Sequence, residues 1–114
     1  QPGARAMGLG PDGYGLSALE ARFDVRSEPR EQNRFGWVVE LDPFDPVARP
    51  KKRTALGRFR HEGATCVIAP DGRLVVYSGD DQKGECLYRF VSSRPVDARE
   101  RSANRDLLDA GELS

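Results

Sequence analysis

This sequence is short of most of the residues that would announce a chemistry. It has a single histidine, His61, and two cysteines, Cys66 and Cys86. One histidine excludes a histidine metal cage and a histidine–serine catalytic pair within these residues. Nor do the two cysteines fall at zinc spacing or beside a histidine that would activate a thiol. Neither sign of charge dominates, with 18 basic and 18 acidic residues, so no net field draws the chain to nucleic acid or to an anionic membrane. No run approaches the roughly 20 apolar residues that span a bilayer. An initiator methionine and an apolar leader are both missing from the opening Gln1-Pro2-Gly3. That start, and an end at Leu113-Ser114 just after a helix-like stretch, read as an excised piece of a longer chain.

What is present is unevenly spread. Leaving alanine aside, residues 35–91 hold 21 large apolar side chains and the equally long remainder holds 11. The core is therefore expected in the middle of the chain. Three regions follow: an irregular, loop-rich segment over 1–32, an antiparallel β region over 33–91, and a polar tail with a short helix over 92–114. Glycines at 3, 8, 10, 13 and 15 mark the first region as loop, with one turn of helix over Ser17–Arg22. The β-branched and aromatic run Phe35–Leu41 reads as a strand stopped by Asp42-Pro43. Further strands are expected at Thr54–Arg60, Ala64–Ala69, Arg73–Ser78 and Cys86–Val91. Pro70-Asp71-Gly72 supplies the turn of the clearest hairpin. In the tail, Ser102 reads as an N-cap and Gly111 as a C-cap.

The fold class expected is mainly β, with antiparallel strands making about one blade of a β-propeller. The reason is that Val67-Ile68 and Leu74–Tyr77 are apolar on both faces, and such strands are normally covered on both sides. Stacked blades provide that cover, whereas one small sheet does not. Isolated, such a blade has bare faces and edges and is expected to self-associate. Cys66 and Cys86 read as buried thiols, with a cross-strand disulfide as the alternative.

The candidate chemistry lies in carboxylates at strand ends. Glu62 follows His61, and Asp80-Asp81 follow Gly79 at the end of an apolar strand. Adjacent acids repel, and a hard cation relieves that repulsion through several oxygen ligands. The alternatives are a solvated Glu62 and an Asx-type turn at Asp80-Asp81. Position 65 is Thr, which excludes an H-E-x-x-H site. The loop does not fit an EF-hand, and a polymerase-type Gly-Asp-Asp lacks its second acidic strand and basic channel. The run Arg49–Arg60 carries six cations and no acid, a pattern that fits either a solvated loop or a clasp on phosphate oxygens.

As a set, Asn33–Glu40, Lys52–Phe59, His61-Glu62-Gly63-Ala64, Tyr77-Ser78-Gly79-Asp80-Asp81 and Tyr88–Val91 resemble the PhoX-type bacterial alkaline phosphatases over roughly residues 20–113. The resemblance implies a β-propeller phosphomonoesterase, exported to the periplasm, that uses calcium with iron in a cluster of carboxylates and one cysteine. It implies Glu62 as a metal ligand, with Asp80 and Asp81 on the family's Gly-Asp-Asp and Asp80 the stronger of the two. The family's Cys-Glu-Glu motif, later acidic ligands and active-site arginine are absent, so Cys66 and Cys86 do not take the cysteine's role. The reading is thus part of a phosphatase acting on phosphate esters, inactive alone and possessing too few ligands to hold the cluster. A non-catalytic propeller segment with structural calcium is the alternative, and a metal-free β-rich interaction domain a third.

Overall fold

The computed structural model describes residues 14–114. The glycine-rich reading of residues 1–13 lies outside the described residues. The chain divides into two compact units, Gln1–Gly36 and Trp37–Ser114. In the first, three short 3-10 turns at Leu16–Ala18, Ala21–Phe23 and Glu31–Arg34 replace the single helical turn expected. Glu31 is buried there and accepts from Arg22 at 3.3 Å and Arg34 at 3.4 Å, while Phe23 and Phe35 pack with ring centroids 5.9 Å apart.

The second unit contains six strands: β1 Val39–Glu40, β2 Lys51–Lys52, β3 His61–Ile68, β4 Arg73–Asp80, β5 Leu87–Pro95 and β6 Gly111–Leu113. β1 and β2 form a small antiparallel pair, and β3-β4-β5-β6 form a four-stranded antiparallel sheet in sequence order. The chain is thus mainly β, and among the described residues helix is confined to short 3-10 turns. Among the described residues no helix is long and apolar enough to cross a membrane.

The expected hairpin is present. Gly72 N donates to Ala69 O at 2.8 Å, and Asp71 Oδ1 accepts from Arg73 N at 3.1 Å, closing the turn between β3 and β4. Other elements differ from their expectations. Only Val39–Glu40 of the run 35–41 pairs, and its partner is the basic loop. Thr54–Leu56 is a 3-10 turn, not a strand, because turning there drives Leu56 into the core. The tail's helix is the 3-10 turn Arg101–Asn104, capped by Glu100 rather than Ser102: Glu100 Oε1 accepts from Ser102 N at 3.0 Å. Gly111 does not end a helix but begins β6 beside Ser92. A Cβ at Gly111 would collide with the Val91 carbonyl and the Phe90 ring, so only glycine lets β6 approach β5.

The core is small and one-sided. Leu56, Val76 and Phe90 are buried together, with Val38, Ala55, Leu74 and Leu108 packed against them. Cross-strand partners share a face, so Val76 and Phe90 place this core on one face of the sheet. The opposite face carries Val67, Tyr77 and Leu87, which are 48%, 39% and 68% exposed. Val75 is buried on that face too, at 8% exposure, so the cover expected on both sides is supplied by this unit mainly on one. Cys66 and Cys86 are both free and exposed, which corrects the expectation of buried thiols: β3 is an edge strand, and Cys86 lies in the loop before β5.

Candidate functional site

The site is built by the far end of the β3–β4 hairpin, away from its Pro-Asp-Gly turn. Thr65 stands opposite Tyr77, but Glu62 stands opposite Gly79. Two residues, Gly63 and Ala64, therefore face Ser78 alone. This is a β-bulge, and Gly63 occupies it at φ +73°, the left-handed conformation that such a position assigns to glycine. A Cβ there would meet nothing within 4 Å. Backbone conformation, rather than space, is what demands glycine.

Because side chains alternate, the bulge decides who neighbours whom. His61 pairs with Asp80 on the core-covered face, where Ser78 and Val76 also lie. Glu62 shares the open face with Gly79, and Asp81, two residues further on, is its diagonal neighbour there. Asp81 N continues the ladder by donating to Arg60 O at 2.9 Å. The Arg60 guanidinium reaches the Asp81 carboxylate at 3.2 Å. Glu62 is exposed, and none of the described residues donates to its carboxylate.

Asp80 has the opposite environment. Its amide donates to Cys86 O at 3.1 Å, closing the 82–85 loop, and its Oδ1 is buried without a hydrogen-bond partner. A buried carboxylate oxygen lacking a donor is costly unless a cation or another donor satisfies it. Glu62, Asp80 and Asp81 are thus gathered at one strand end but divided between two faces. Among the described residues, no three His, Cys, Asp or Glu side chains stand close enough to hold a metal ion.

His61 is committed to structure. Its Nδ1 lies 2.8 Å from Ser78 Oγ and its Nε2 lies 3.2 Å from Gly57 O. Its ring packs on Phe59 at 3.6 Å between centroids, and Phe59 stacks on Tyr88 at 4.5 Å. Ser78 is the residue that sequence reading passed over. It is 5% exposed, and its hydroxyl donates to Gly63 O at 2.8 Å. The available signal was a small hydroxyl residue inside the apolar run Leu74–Tyr77 extended toward Gly79.

The basic run mainly builds the unit instead of presenting free cations. Lys51 bonds Asp106 at 3.0 Å, and Arg53 bonds Glu40 and Asp109 at 2.6 Å each. Glu40, Lys51 and Arg53 line a cleft of about 260 Å³ with Asp42, Arg49, Arg101 and Arg105. Asp42 there is held below the ordinary carboxylate range by the hydrogen bond from Arg101.

Comparison with known proteins bears on this geometry. The family model "Alkaline phosphatase PhoX" matches residues 2–114. No curated protein matches the chain. A solved structure of Pseudomonas fluorescens PhoX, in complex with vanadate, a transition state analogue, is similar at 48% identity with a TM-score of 0.89. That similarity covers 99% of this chain and 20% of the other, so the chain spans about a fifth of its solved relative. With a match running over nearly its whole length, the chain belongs to the PhoX family of alkaline phosphatases.

Proposed function

We propose that this chain is a segment of a calcium- and iron-dependent phosphomonoesterase, that it supplies Glu62, Asp80 and Asp81 to the metal-binding carboxylates, and that it is inactive alone. The observation that carries this reading is the buried, unpartnered Oδ1 of Asp80, one residue from the open-face pair Glu62 and Asp81. Anionic oxygens at a strand end suit a hard cation such as calcium, which takes about six to eight oxygen ligands. Three carboxylates on two faces fill only part of such a sphere, so the remaining ligands come from elsewhere in a longer protein. Bound metal would polarise phosphoryl oxygens and orient the nucleophile. This chain's share is to aim Glu62 and Asp81 along the open face, with Arg60 steadying Asp81. The four-stranded sheet, covered mainly on one face, is read as one blade of a propeller whose neighbours cover the other face. Family membership supports phosphate esters as the substrate class and export to the periplasm.

The test is hydrolysis of p-nitrophenyl phosphate by this chain and by the full-length protein that carries it, each with and without calcium. Activity is expected only in the longer protein and only with metal, and Glu62→Gln should abolish it while leaving the far-UV spectrum unchanged. Glutamine keeps the volume and loses the charge, so a fully active variant would remove Glu62 from the site. Absence of activity in both proteins would favour a propeller segment without catalysis.

A further inference from the structure

We propose that Ser78 and His61 are positioning residues for Glu62: they clamp the bulge that turns its carboxylate away from Asp80 and toward Asp81. This rests on the reading of Glu62 as a metal ligand.

The register supplies the first argument. Thr65 faces Tyr77, and a regular strand stepping back from there would set Glu62 directly across from Asp80. Two carboxylates directly opposite each other destabilise an antiparallel pair. The extra residue shifts the pairing by one, so Glu62 faces Gly79 and Asp80 faces His61. A one-residue shift exchanges faces. Glu62 thereby leaves the covered face for the open one.

The second argument concerns what holds the shift in place. A bulge interrupts the ladder, and there the Gly63 carbonyl accepts a hydrogen bond from the Ser78 hydroxyl at 2.8 Å. A hydroxyl has one proton to give and two lone pairs to offer. With its proton on Gly63 O, Ser78 Oγ keeps its lone pairs for His61 Nδ1, which lies 2.8 Å away and donates to it in the tautomer that carries the proton on Nδ1. His61 is in turn fixed by the Phe59–Tyr88 stack, so the clamp is anchored on the covered face. Glu62 itself is exposed and has no side-chain partner among the described residues. Its direction is set by the backbone that Ser78 holds.

Residues that orient a metal ligand typically change metal affinity by about 10–100-fold when removed. The experiment is a calorimetric calcium titration of the full-length protein that carries this chain, in the wild type and in each variant. Ser78→Ala is expected to weaken binding about tenfold, and Ser78→Thr, which keeps the hydroxyl, to restore it to within about twofold. A role confined to general stability would lower the urea midpoint without this hydroxyl-dependent recovery. His61→Phe keeps the ring stack, removes the bond to Ser78 and serves as the second variant if Ser78→Ala does not fold; it should weaken binding in the same direction. Glu62→Gln separates the two ideas. If Glu62→Gln loses binding while Ser78→Ala and His61→Phe bind like the wild type, the positioning proposal is overturned and the metal reading stands. Should Ser78→Thr bind as weakly as Ser78→Ala, the hydroxyl is not the agent and the proposal fails. Unchanged binding by Glu62→Gln would overturn the metal reading, and the positioning role with it.

Discussion

Replacing Arg53 by lysine removes a planar fork of donors from a buried site without changing its charge. Arg53 is 2% exposed. Its Nε reaches Glu40 at 2.6 Å, its Nη1 reaches Asp109 at 2.6 Å, and its Nη2 donates to the Arg105 carbonyl. One side chain thus ties β1, the turn before β3 and the tail that leads into β6. Burial opposes its charge, but the bonds it donates to Asp109 and Glu40 outweigh that and raise its pKa further. Hydrogen bonds to charged groups contribute about 1.5–3 kcal/mol each. Those figures do not simply add here. Glu40 and Asp109 are 44% and 52% exposed and rehydrate when released. A lysine ammonium reaches one partner well and leaves the Arg105 carbonyl unmatched. The expected loss is therefore about 2 kcal/mol for Arg53→Lys, a factor of roughly 30 in the folding equilibrium. Arg53→Met, which leaves both carboxylates without their cation, should lose about 3 kcal/mol, the low end for breaking a buried pair. Urea unfolding at neutral pH, followed by far-UV circular dichroism at several dilute protein concentrations, measures both. A lysine variant within about 0.5 kcal/mol of the wild type would refute the claim that fork geometry, rather than charge alone, joins these elements.

Acid should loosen the unit from its loops and tail. The carboxyls of Asp106 and Asp42 are held down by hydrogen bonds from Lys51 and Arg101, and that of Asp97 by the Arg99 and Glu100 amides. A lowered folded pKa gives stability that is complete above the unfolded value of about 3.9 and is lost as pH falls through the lower folded value. The urea midpoint is therefore expected to be flat from pH 6 to about 5 and to fall below about pH 4, and a midpoint that rises on acidification would contradict the assignment. At high concentration the chain should self-associate, because β3 and β6 are open edges of the sheet and Val67, Tyr77 and Leu87 are exposed on its open face. Sedimentation showing a compact monomer across the whole concentration range would count against it.

The β3–β4 hairpin was legible in the sequence because its signals are local: a Pro-Asp-Gly turn between two apolar runs. The carboxylates at strand ends were legible for the same reason, as residue types at a boundary. What the sequence could not display was register. Glu62 and Asp80 look equivalent as acids near strand ends, yet one extra residue at Gly63-Ala64 sends them to different faces. A bulge of this kind leaves only a glycine behind, and glycine has many other uses. Thr54–Leu56 was missed by a different mechanism. Its composition suits a strand, but turning there buries Leu56 to 2% exposure against Val76 and Phe90, so tertiary packing overrode local preference. The tail failed likewise, since Gly111 suits a helix end by type and a close strand approach by environment, and only the neighbouring Phe90 ring distinguishes them.

Ser78 shows where these two limits meet. As a residue type it is unremarked in a strand, and its consequence appears only when register places it opposite two residues instead of one. A hydroxyl at that point donates to the Gly63 carbonyl at 2.8 Å, a bond that an aliphatic residue could not make. The acid that carries the candidate chemistry is therefore oriented by a buried neighbour with no charge. Family resemblance singles out Glu62 as a candidate by its motif, but on the proposal above its direction follows from Gly63, Ser78 and His61 acting on the backbone. The functional reading of this strand end consequently depends as much on the bulge as on the acids themselves.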